Sequence, residues 1–446
     1  MNYKLYMIIS IVTLFTACGE VNSGNENSLP TENIDDPISC QEIQKQNKLF
    51  DYNYEILPKI EPINNIKILT QKSKTFNKTI EFDKKGLYEL FTTEYYWASL
   101  VSKDLNYTKY LEPQKLIDAV KYKKDKWSFA ITIKEYNNAI SQQFKGVGLA
   151  CQDFESGCLI TYVQIDSPAE KIDLRRGDLI TKIDGKVATE NLFYEKAQKD
   201  NKINLELVRK NSNQKCKGSI TPRKYSYKVV KEKILKTAKS EKIAYLRLDS
   251  FLGDTQIQKQ IDSAFDIFKK DNLKKLIIDL RYNGGGSVDI ASELLNKLST
   301  SHTGEHQFTL EWNSDYRSRD ELYKFKAKSN SLDLKQLILL TTQNTASASE
   351  LIISAMKPYL SKENLVVIGD RTYGKPVGMG GRSDRSYYYF LINFIVKNSL
   401  GFYEYFDGIP VSEGCKVEDD PFHEMGDPKE SMLKTALHYI EEGSCK

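Results

Sequence analysis

The sequence predicts a multidomain α/β protein, and a pattern that recurs in its second half is the main reason. Three apolar runs, expected as strands at 275–280, 337–341 and 365–368, each end in a turn that carries polar residues or glycine. The first two turns lead into helical stretches. Buried strands that alternate with helices are typical of an α/β fold. A chain of 446 residues is long enough for two or three domains, each with its own core.

The turn after the second strand presents a serine at the start of a helix. Residues 345–350 read Thr-Ala-Ser-Ala-Ser-Glu, which places the Ser347 hydroxyl beside the free N–H groups of the helix that follows. A serine in this position acts as a nucleophile if a base takes its proton. Ser347 and Glu350 also have the spacing of a capping box, in which both side chains satisfy the first backbone amides of a helix. The residues alone leave both interpretations open.

The turn after the third strand presents a candidate base. Residues 372–375 read Thr-Tyr-Gly-Lys, and a neutral lysine within hydrogen-bond reach activates a serine in known Ser–Lys pairs. A lysine with an ordinary pKa of about 10.4 must be buried or lie near positive charge to be neutral at pH 7. Val377, Met379 and residues 387–390 are expected to supply apolar walls, and Arg281 and Arg371 positive potential.

A glycine-rich loop follows the first strand. Asp279 interrupts the apolar run and opens into Arg-Tyr-Asn-Gly-Gly-Gly at 281–286, before a helical stretch from about Val288 to Leu298. Glycines at a strand exit allow backbone amides to converge on an anion. An oxyanion hole requires such an arrangement, because its donors stabilise the charge that develops during acyl transfer.

Together these stretches resemble the C-terminal processing peptidases, also called tail-specific proteases. The resemblance rests on the motifs at 279–286, 347–350 and 372–375 and extends from about residue 80 to the C-terminus. It implies an α/β (crotonase-like) catalytic core over 225–446.

The same resemblance implies roles for individual residues. Ser347 would be the nucleophile and Lys375 the general base, with Glu350 assisting. The amides of Ala348 and of Gly285, or of a neighbouring glycine, would form the oxyanion hole. Many members carry a glutamine four residues after the lysine, whereas this chain has Met379 there.

A second module precedes the core. Gly-Val-Gly-Leu at 146–149, Ser-Pro-Ala-Glu at 167–170 and Arg-Gly-Asp-Leu-Ile at 176–180 resemble a PDZ domain of the type found in processing proteases, over 143–224. In that fold the loop amides hold a peptide's terminal carboxylate while the peptide adds as a strand to a sheet edge. The resemblance implies that Val147, Gly148 and Leu149 bind a substrate's C-terminus. An ordinary hairpin entry is the alternative for the Gly-x-Gly turn.

The remaining segments are assigned by pattern and by the resemblance. Residues 81–142 show apolar side chains at helical spacing and are expected to form a small helical cap with a core of aromatic residues. Residues 387–396 and 402–406 are expected to pair as strands near the site. A closing helix is expected after Pro428.

The N-terminus indicates export. Lys4 precedes an apolar stretch that ends at Cys18, too short to span a membrane but suited to a signal peptide at 1–17. A cysteine after Phe-Thr-Ala resembles a bacterial lipoprotein cleavage site. Cys18 would then carry lipid, and 18–80 would form a tether and N-terminal segment, anchoring the chain in the bacterial cell envelope. The alternative is an ordinary signal peptide cut elsewhere.

Six cysteines follow Cys18, an even number that permits disulfides in an exported chain. Cys151 and Cys158 flank a short polar stretch, and a hairpin with its turn at 153–156 would set them opposite each other. Free buried thiols are the alternative.

Composition argues against several other functions. The net charge is +4 with dispersed charges, so lysine-rich patches such as 121–126 are interpreted as solvated faces and no nucleic-acid partner is expected. Neither metal-ligand spacing nor a phosphate loop is found, so no metal and no cofactor are predicted. The four histidines lie in segments without a recognisable nucleophile.

The sequence therefore predicts an exported, lipid-anchored serine endopeptidase that cleaves proteins or peptides recognised near their C-terminus. Two alternatives belong to other classes. One is a catalytically inactive protein on the same fold that binds peptide or an apolar ligand, and the other is a scaffold that acts through the PDZ-like module alone.

Overall fold

A computed structural model of the chain describes residues 35–40, 81–140, 144–154, 157–210, 212, 214–225, 228–252 and 255–446. The predicted signal peptide at 1–17, the predicted lipidation site Cys18 and most of the 18–80 segment lie outside the described residues. No helix in the described part of the chain is long and apolar enough to cross a membrane.

The secondary structure alternates between strands and helices along most of the chain. The strands are β1 (Ser39–Cys40), β2 (Phe129–Thr132), β3 (Phe144–Gly146), β4 (Leu149–Phe154), β5 (Gly157–Val163), β6 (Leu179–Ile183), β7 (Lys186–Val187), β8 (Ile203–Val208), β9 (Lys215–Ile220), β10 (Arg223–Tyr225), β11 (Val230–Lys236), β12 (Lys242–Leu248), β13 (Lys275–Asp279), β14 (His306–Trp312), β15 (Glu321–Lys324), β16 (Gln336–Thr341), β17 (Leu365–Gly369), β18 (Val377–Ser383) and β19 (Tyr387–Asn398). The α-helices are α1 (Lys84–Thr93), α2 (Pro113–Val120), α3 (Ile133–Ile140), α4 (Pro168–Lys171), α5 (Glu190–Ala197), α6 (Thr255–Lys270), α7 (Val288–Leu298), α8 (Ala348–Met356) and α9 (Ser431–Glu442).

The described residues fall into two compact units. The first contains those within 64–141 and 232–416, and the second those within 13–63, 142–231 and 417–446.

A five-stranded sheet forms the centre of the first unit, in the order β11-β12-β13-β16-β17. β12, β13, β16 and β17 run parallel to one another, and their residues are almost entirely buried. Long apolar strands of this kind are stable only when both faces of the sheet are covered. Because β16 and β17 are parallel neighbours, the turns that follow them emerge at the same edge of the sheet.

A second sheet in this unit has the order β15-β14-β19-β18, with β2 paired to β19. The expected strand at 387–396 is found as β19, but its expected partner at 402–406 is wrong, because those residues form no strand. β19 pairs instead with β18, whose Gly378, Gly380 and Gly381 obscure its strand pattern in the sequence. The described residues 81–140 contain the helices α1, α2 and α3, but they also supply β2.

The second unit is built on a seven-stranded antiparallel sheet with the order β1-β9-β8-β6-β5-β4 and with β7 on β6. β3 and β10 form a separate antiparallel pair. The larger apolar cluster of this unit includes Val147, Leu149 and Phe193. β4 is the last strand in the sheet order, so one of its edges faces no other described strand.

Two disulfides lie in the second unit. One joins Cys151 to Cys158, as predicted, but the two residues are not directly opposite. Cys151 faces Ile160 and Cys158 faces Asp153, because the ladder continues to the pair Phe154 and Gly157, whereas the expected turn at 153–156 would have ended it at Gln152. The other disulfide joins Cys40 to Cys216 and thereby fastens β1 to the sheet.

The C-terminal segment does not follow the expected boundary of the core at 225–446. Residues 417–446, including the predicted closing helix α9, group with the second unit. A buried ion pair between Arg176 and Asp419 contributes to this arrangement. Phe422 packs against Leu159 and Leu179. These contacts join residues that are far apart in the sequence, and the sequence pattern gives no sign of them.

Candidate active site

Ser347 lies in a strained turn between β16 and α8. Its backbone angles are φ 61° and ψ −115°, a combination that costs an L-residue about 1–3 kcal/mol. The Ser347 side chain is 2 % exposed. A serine held in a strained strand-to-helix turn is the arrangement of a nucleophile elbow.

The Ser347 hydroxyl has no hydrogen-bond partner among the described residues. Glu350 makes its half of a capping box by accepting the Ser347 N–H at 2.8 Å, but the Ser347 oxygen accepts no hydrogen bond from a described residue. The alternative interpretation, in which Ser347 caps the helix, therefore does not explain why its hydroxyl oxygen is buried without a hydrogen bond. A buried hydroxyl without a partner is costly, and this makes it a candidate for a functional role.

Glu350 connects the serine turn to the lysine turn. Its carboxylate is completely buried and accepts hydrogen bonds from the backbone N–H groups of Ser347 at 2.8 Å, Gly374 at 2.7 Å and Lys375 at 2.8 Å. The Thr372 hydroxyl donates a fourth hydrogen bond at 2.5 Å. Burial raises the pKa of the Glu350 carboxyl group, and these four hydrogen bonds oppose that rise.

The bonds to Glu350 bring the backbones of the two predicted catalytic residues together, but the Ser347 hydroxyl and the Lys375 amine form no hydrogen bond with each other in this structure. The same oxygen, Oε2, accepts the N–H groups of both Ser347 and Lys375. Their backbone nitrogens therefore lie within two hydrogen-bond lengths of each other, although 28 positions separate the residues in the sequence.

Lys375 has the environment that a general base needs. The side chain is 4 % exposed, and Nζ lies 4.0 Å from the Met379 sulfur. Burial lowers the pKa of the Lys375 ammonium to about 7, while the negative charges of Asp125 and Glu350 oppose this shift. Met379 thus gives the lysine an apolar neighbour.

Arg281 does not act as the sequence suggested. It forms a completely buried ion pair with Asp279, in which Nε and Nη2 each donate a bond of 2.9 Å to the carboxylate. The paired charge of Asp279 offsets that of the arginine, so burial is the cause of the low pKa of Lys375. The pair instead braces the start of the glycine-rich loop, with the Tyr245 hydroxyl also bound to Asp279 at 2.8 Å.

The glycine-rich loop lies directly against the serine turn. Gly285 has φ +104°, and a Cβ atom at that residue would be 2.7 Å from the Ser347 Cβ and 2.9 Å from the Ala348 nitrogen. Only glycine allows this approach. The Gly285 N–H itself donates to the Asn283 side chain at 2.9 Å, so it is already occupied in this structure. The assignment of Gly285 and Ala348 as oxyanion donors stays a prediction.

Asp125 is a site residue that the sequence did not reveal. Its buried carboxylate accepts hydrogen bonds from the Tyr95 hydroxyl at 2.8 Å and from the Trp127 and Ser128 backbone N–H groups at 2.9 Å. The Ser128 hydroxyl donates another at 2.5 Å. Nothing in a lysine-rich stretch distinguishes a buried aspartate from an exposed one, so only the folded structure relates Asp125 to Lys375.

The predicted peptide-binding loop belongs to the second unit. Val147 and Leu149 are buried, and the loop that contains them joins β3 to β4. Gly148 has φ +75° and its backbone lies against Ser167. The Gly148 carbonyl accepts hydrogen bonds from the Gln164 N–H at 2.8 Å and the Ser167 hydroxyl at 3.2 Å. The loop therefore has a fixed conformation at the start of the sheet-edge strand β4.

The described residues contain no group of three or more His, Cys, Asp and Glu side chains that is arranged to hold a metal ion. The histidines make other contacts. For example, His306 hydrogen bonds to Thr309 and His423 to Asp420.

Comparison with known proteins places these features in a family context. Residues 242–383 match the model of Peptidase family S41, and residues 159–192 match the model of a PDZ domain. The predicted resemblance to peptidases of this kind that carry a PDZ domain is therefore confirmed.

Curated relatives are named as probable CtpA-like serine proteases. One from Staphylococcus aureus strain MRSA252 is 27 % identical over 323 residues, which cover 69 % of this chain and 60 % of the relative. Another, from Staphylococcus haemolyticus, is 26 % identical over 320 residues and 58 % of its length. The matched part of the chain thus spans less than two thirds of these relatives.

Solved structures confirm the multidomain α/β fold. A putative S41 protease from Bacteroides fragilis has a TM-score of 0.69 at 19 % identity, over 82 % of this chain and 99 % of that one. The photosystem II D1 C-terminal processing protease has a TM-score of 0.50 at 18 % identity, over 78 % and 95 % of the two chains.

The strain at residue 347 leads to a stability prediction. We expect the free energy of unfolding of Ser347→Gly to exceed that of Ser347→Ala by about 1 kcal/mol, because glycine relieves the backbone strain. Denaturant titration of the two variants measures this difference. Ser354 in α8 is the matched control, since its hydroxyl is also buried without a partner among the described residues. There the order should reverse, because alanine is favoured over glycine inside a helix. Equal stabilities of the two variants at 347 would contradict the strain.

The electrostatic contacts of Lys375 lead to a second prediction. The charge of Asp125 raises the pKa of the lysine, so Asp125→Asn should lower the Lys375 titration midpoint below its value of about 7. The asparagine side-chain oxygen is still able to accept the Trp127 and Ser128 backbone N–H groups. The Tyr95 and Ser128 hydroxyls are able to rotate and accept from the asparagine NH2 group. NMR of the protein labelled with 13C-lysine measures this midpoint. The Lys375 signal is the one that is absent from the spectrum of Lys375→Met. The exposed Asp118→Asn should leave it unchanged, and an unchanged midpoint in Asp125→Asn would refute the interaction.

Proposed function

We propose that the chain is a serine endopeptidase in which Ser347 is the nucleophile and Lys375 the general base. The observation that carries this proposal is the Glu350 carboxylate, which binds the backbone N–H groups of both residues at once. A lysine with a pKa near 7 supports it, as does the match to Peptidase family S41, and the proton transfer requires the Lys375 side chain to approach the Ser347 hydroxyl, which has no hydrogen-bond partner among the described residues.

The reaction follows from these properties. The neutral Lys375 amine takes the proton from the Ser347 hydroxyl as Oγ attacks the peptide carbonyl carbon. Lysine then gives that proton to the leaving amine as the peptide bond breaks, which leaves an acyl ester on Ser347. In the second half, Lys375 takes a proton from water, the hydroxide attacks the ester, and the proton returns to Ser347.

We further propose that the PDZ domain selects substrates by their C-terminal end. The fixed loop at 147–149 and the sheet-edge strand β4 are suited to a peptide that adds as a strand. Amidation of a substrate's terminal carboxylate should then weaken cleavage, and an unchanged rate would argue against this role.

We also propose that the protein is exported and anchored in the bacterial cell envelope through lipid on Cys18. The two disulfides of the second unit support export, because disulfides persist in oxidising compartments. Metabolic labelling with a radioactive fatty acid tests the anchor, and loss of label in Cys18→Ser is the expected result.

Mutation of the two catalytic candidates tests the peptidase. Ser347→Ala and Lys375→Met should each lower the cleavage rate of an unfolded protein by about 10³-fold or more. Methionine fits the apolar surroundings of Lys375, so the fold should survive. The wild-type rate should rise with pH through about 7, because only the neutral amine accepts the proton.

Ser354→Ala serves as the control, because it removes another buried, unpartnered hydroxyl, which lies inside α8, and should leave the rate unchanged. Undiminished cleavage in either Ser347→Ala or Lys375→Met would refute the dyad. Complete absence of cleavage by the wild-type chain would favour a peptide-binding protein on this fold.

A further inference from the structure

A turn in the helical cap carries positive charge that the described residues do not neutralise. Lys123, Lys124 and Lys126 are exposed and form no ion pair with any described residue, in contrast to Lys121, which pairs with Asp118 at 2.7 Å. We refer to these three side chains as the lysine turn. Asp125 lies between them in sequence, but its carboxylate is buried and points towards Tyr95 and Ser128.

The lysine turn lies close to the candidate active site. The Lys124 ammonium stands 5.7 Å from the centre of the Phe406 ring. The Phe406 carbonyl oxygen would be 2.4 Å from a Cβ atom on Gly374, so its backbone touches the residue that precedes Lys375. Phe406 therefore contacts both the lysine turn and the backbone next to Lys375.

The surface around this point is partly apolar and mainly basic. Tyr373, next to Gly374, is 41 % exposed. Arg371 is also exposed, and its guanidinium donates to the Gly408 carbonyl. The acidic residues of the neighbouring segment, Glu404 and Asp407, are exposed and form no ion pair with the lysine turn. Together the lysine turn and Arg371 give four cations against three anions, because Asp370, which accepts the Arg371 N–H, also lies here.

We infer that the lysine turn binds acidic side chains of the substrate close to the peptide bond that is cut. This inference rests on the proposed peptidase function and specifies its substrate class, namely extended segments with Asp or Glu near the scissile bond. A single pair of opposite charges at a partly exposed surface contributes little to binding free energy. Several such charges together accelerate the encounter of enzyme and substrate and discriminate between substrates. Salt should weaken the preference because it screens exposed charges.

Cleavage of matched peptides tests the preference. Fluorescence-quenched peptides derived from one cleaved parent sequence would carry Glu, Gln or Lys at two positions on each side of the cut. At low salt, the wild-type chain should cleave the Glu peptide about tenfold faster than the Gln peptide in kcat/KM, and the Lys peptide more slowly still. The triple variant Lys123→Gln, Lys124→Gln, Lys126→Gln should lose most of this difference while still cleaving the Gln peptide.

A second triple variant provides the control. Lys103, Lys109 and Lys115 lie in the same cap and are exposed, and Lys109 also stands over an aromatic ring, Tyr110, at 5.2 Å. Their replacement by Gln changes the net charge equally and should preserve the preference. A loss of preference in both triple variants would indicate a general charge effect and overturn the inference.

Binding by the Ser347→Ala chain separates the inference from the proposed function. Fluorescence anisotropy of the uncleaved peptides should give the same order, Glu before Gln before Lys, and C-terminal amidation of each peptide should not alter that order. An amidation-dependent order would assign the effect to the terminal carboxylate and overturn the inference. Charge-selective binding without cleavage by the wild-type chain would refute the peptidase alone, whereas cleavage with no charge preference would refute the inference alone.

Discussion

The buried carboxylate of Glu350 is the constraint on which the site depends. It accepts four hydrogen bonds, three from backbone N–H groups and one from Thr372. Because β16 and β17 are adjacent parallel strands, their turns begin side by side, and Glu350 fixes the remaining distance between them. Thr372 extends the connection, since its hydroxyl also accepts the Ile409 N–H at 2.7 Å. A shift of one turn would therefore strain the other.

The ionisation of Lys375 results from two opposing influences. Burial beside Met379 favours the neutral amine, and the carboxylates of Asp125 and Glu350 favour the charged form. Burial alone would give a weak base that is always unprotonated, and strong pairing would give a lysine that is always charged. A value near 7 lies where a general base is most effective at neutral pH. A glutamine at 379 would add a hydrogen bond to the lysine, whereas the thioether limits its solvation.

The predictable parts of this structure are those encoded by contiguous residues. The strands at 275–280, 337–341 and 365–368 were evident from their apolar runs, and the motifs around Ser347 and Lys375 identified the turns that follow two of them. The Cys151–Cys158 bridge was also predictable, because seven positions separate its cysteines. By contrast, β18 was missed because its glycines carry no strand signal. Asp125 and the grouping of residues 417–446 were missed because each depends on contacts between residues distant in the sequence.

Asn283 determines what the glycine-rich loop is able to offer a substrate. Its side chain accepts the Gly285 N–H and donates to the Leu248 carbonyl at 2.9 Å. Its backbone carbonyl accepts the Ala346 N–H at 3.1 Å and the Ser349 hydroxyl at 2.9 Å. Both the side chain and the backbone carbonyl of Asn283 are thus fixed by hydrogen bonds. Asn283 therefore cannot free the Gly285 N–H by moving away as a unit. An oxyanion hole that uses the Gly285 N–H requires the loop to rotate at Gly285 and Gly286, which glycine's conformational freedom permits, but this rotation must also break the hydrogen bond of 2.9 Å from the Phe251 N–H to the Gly285 carbonyl.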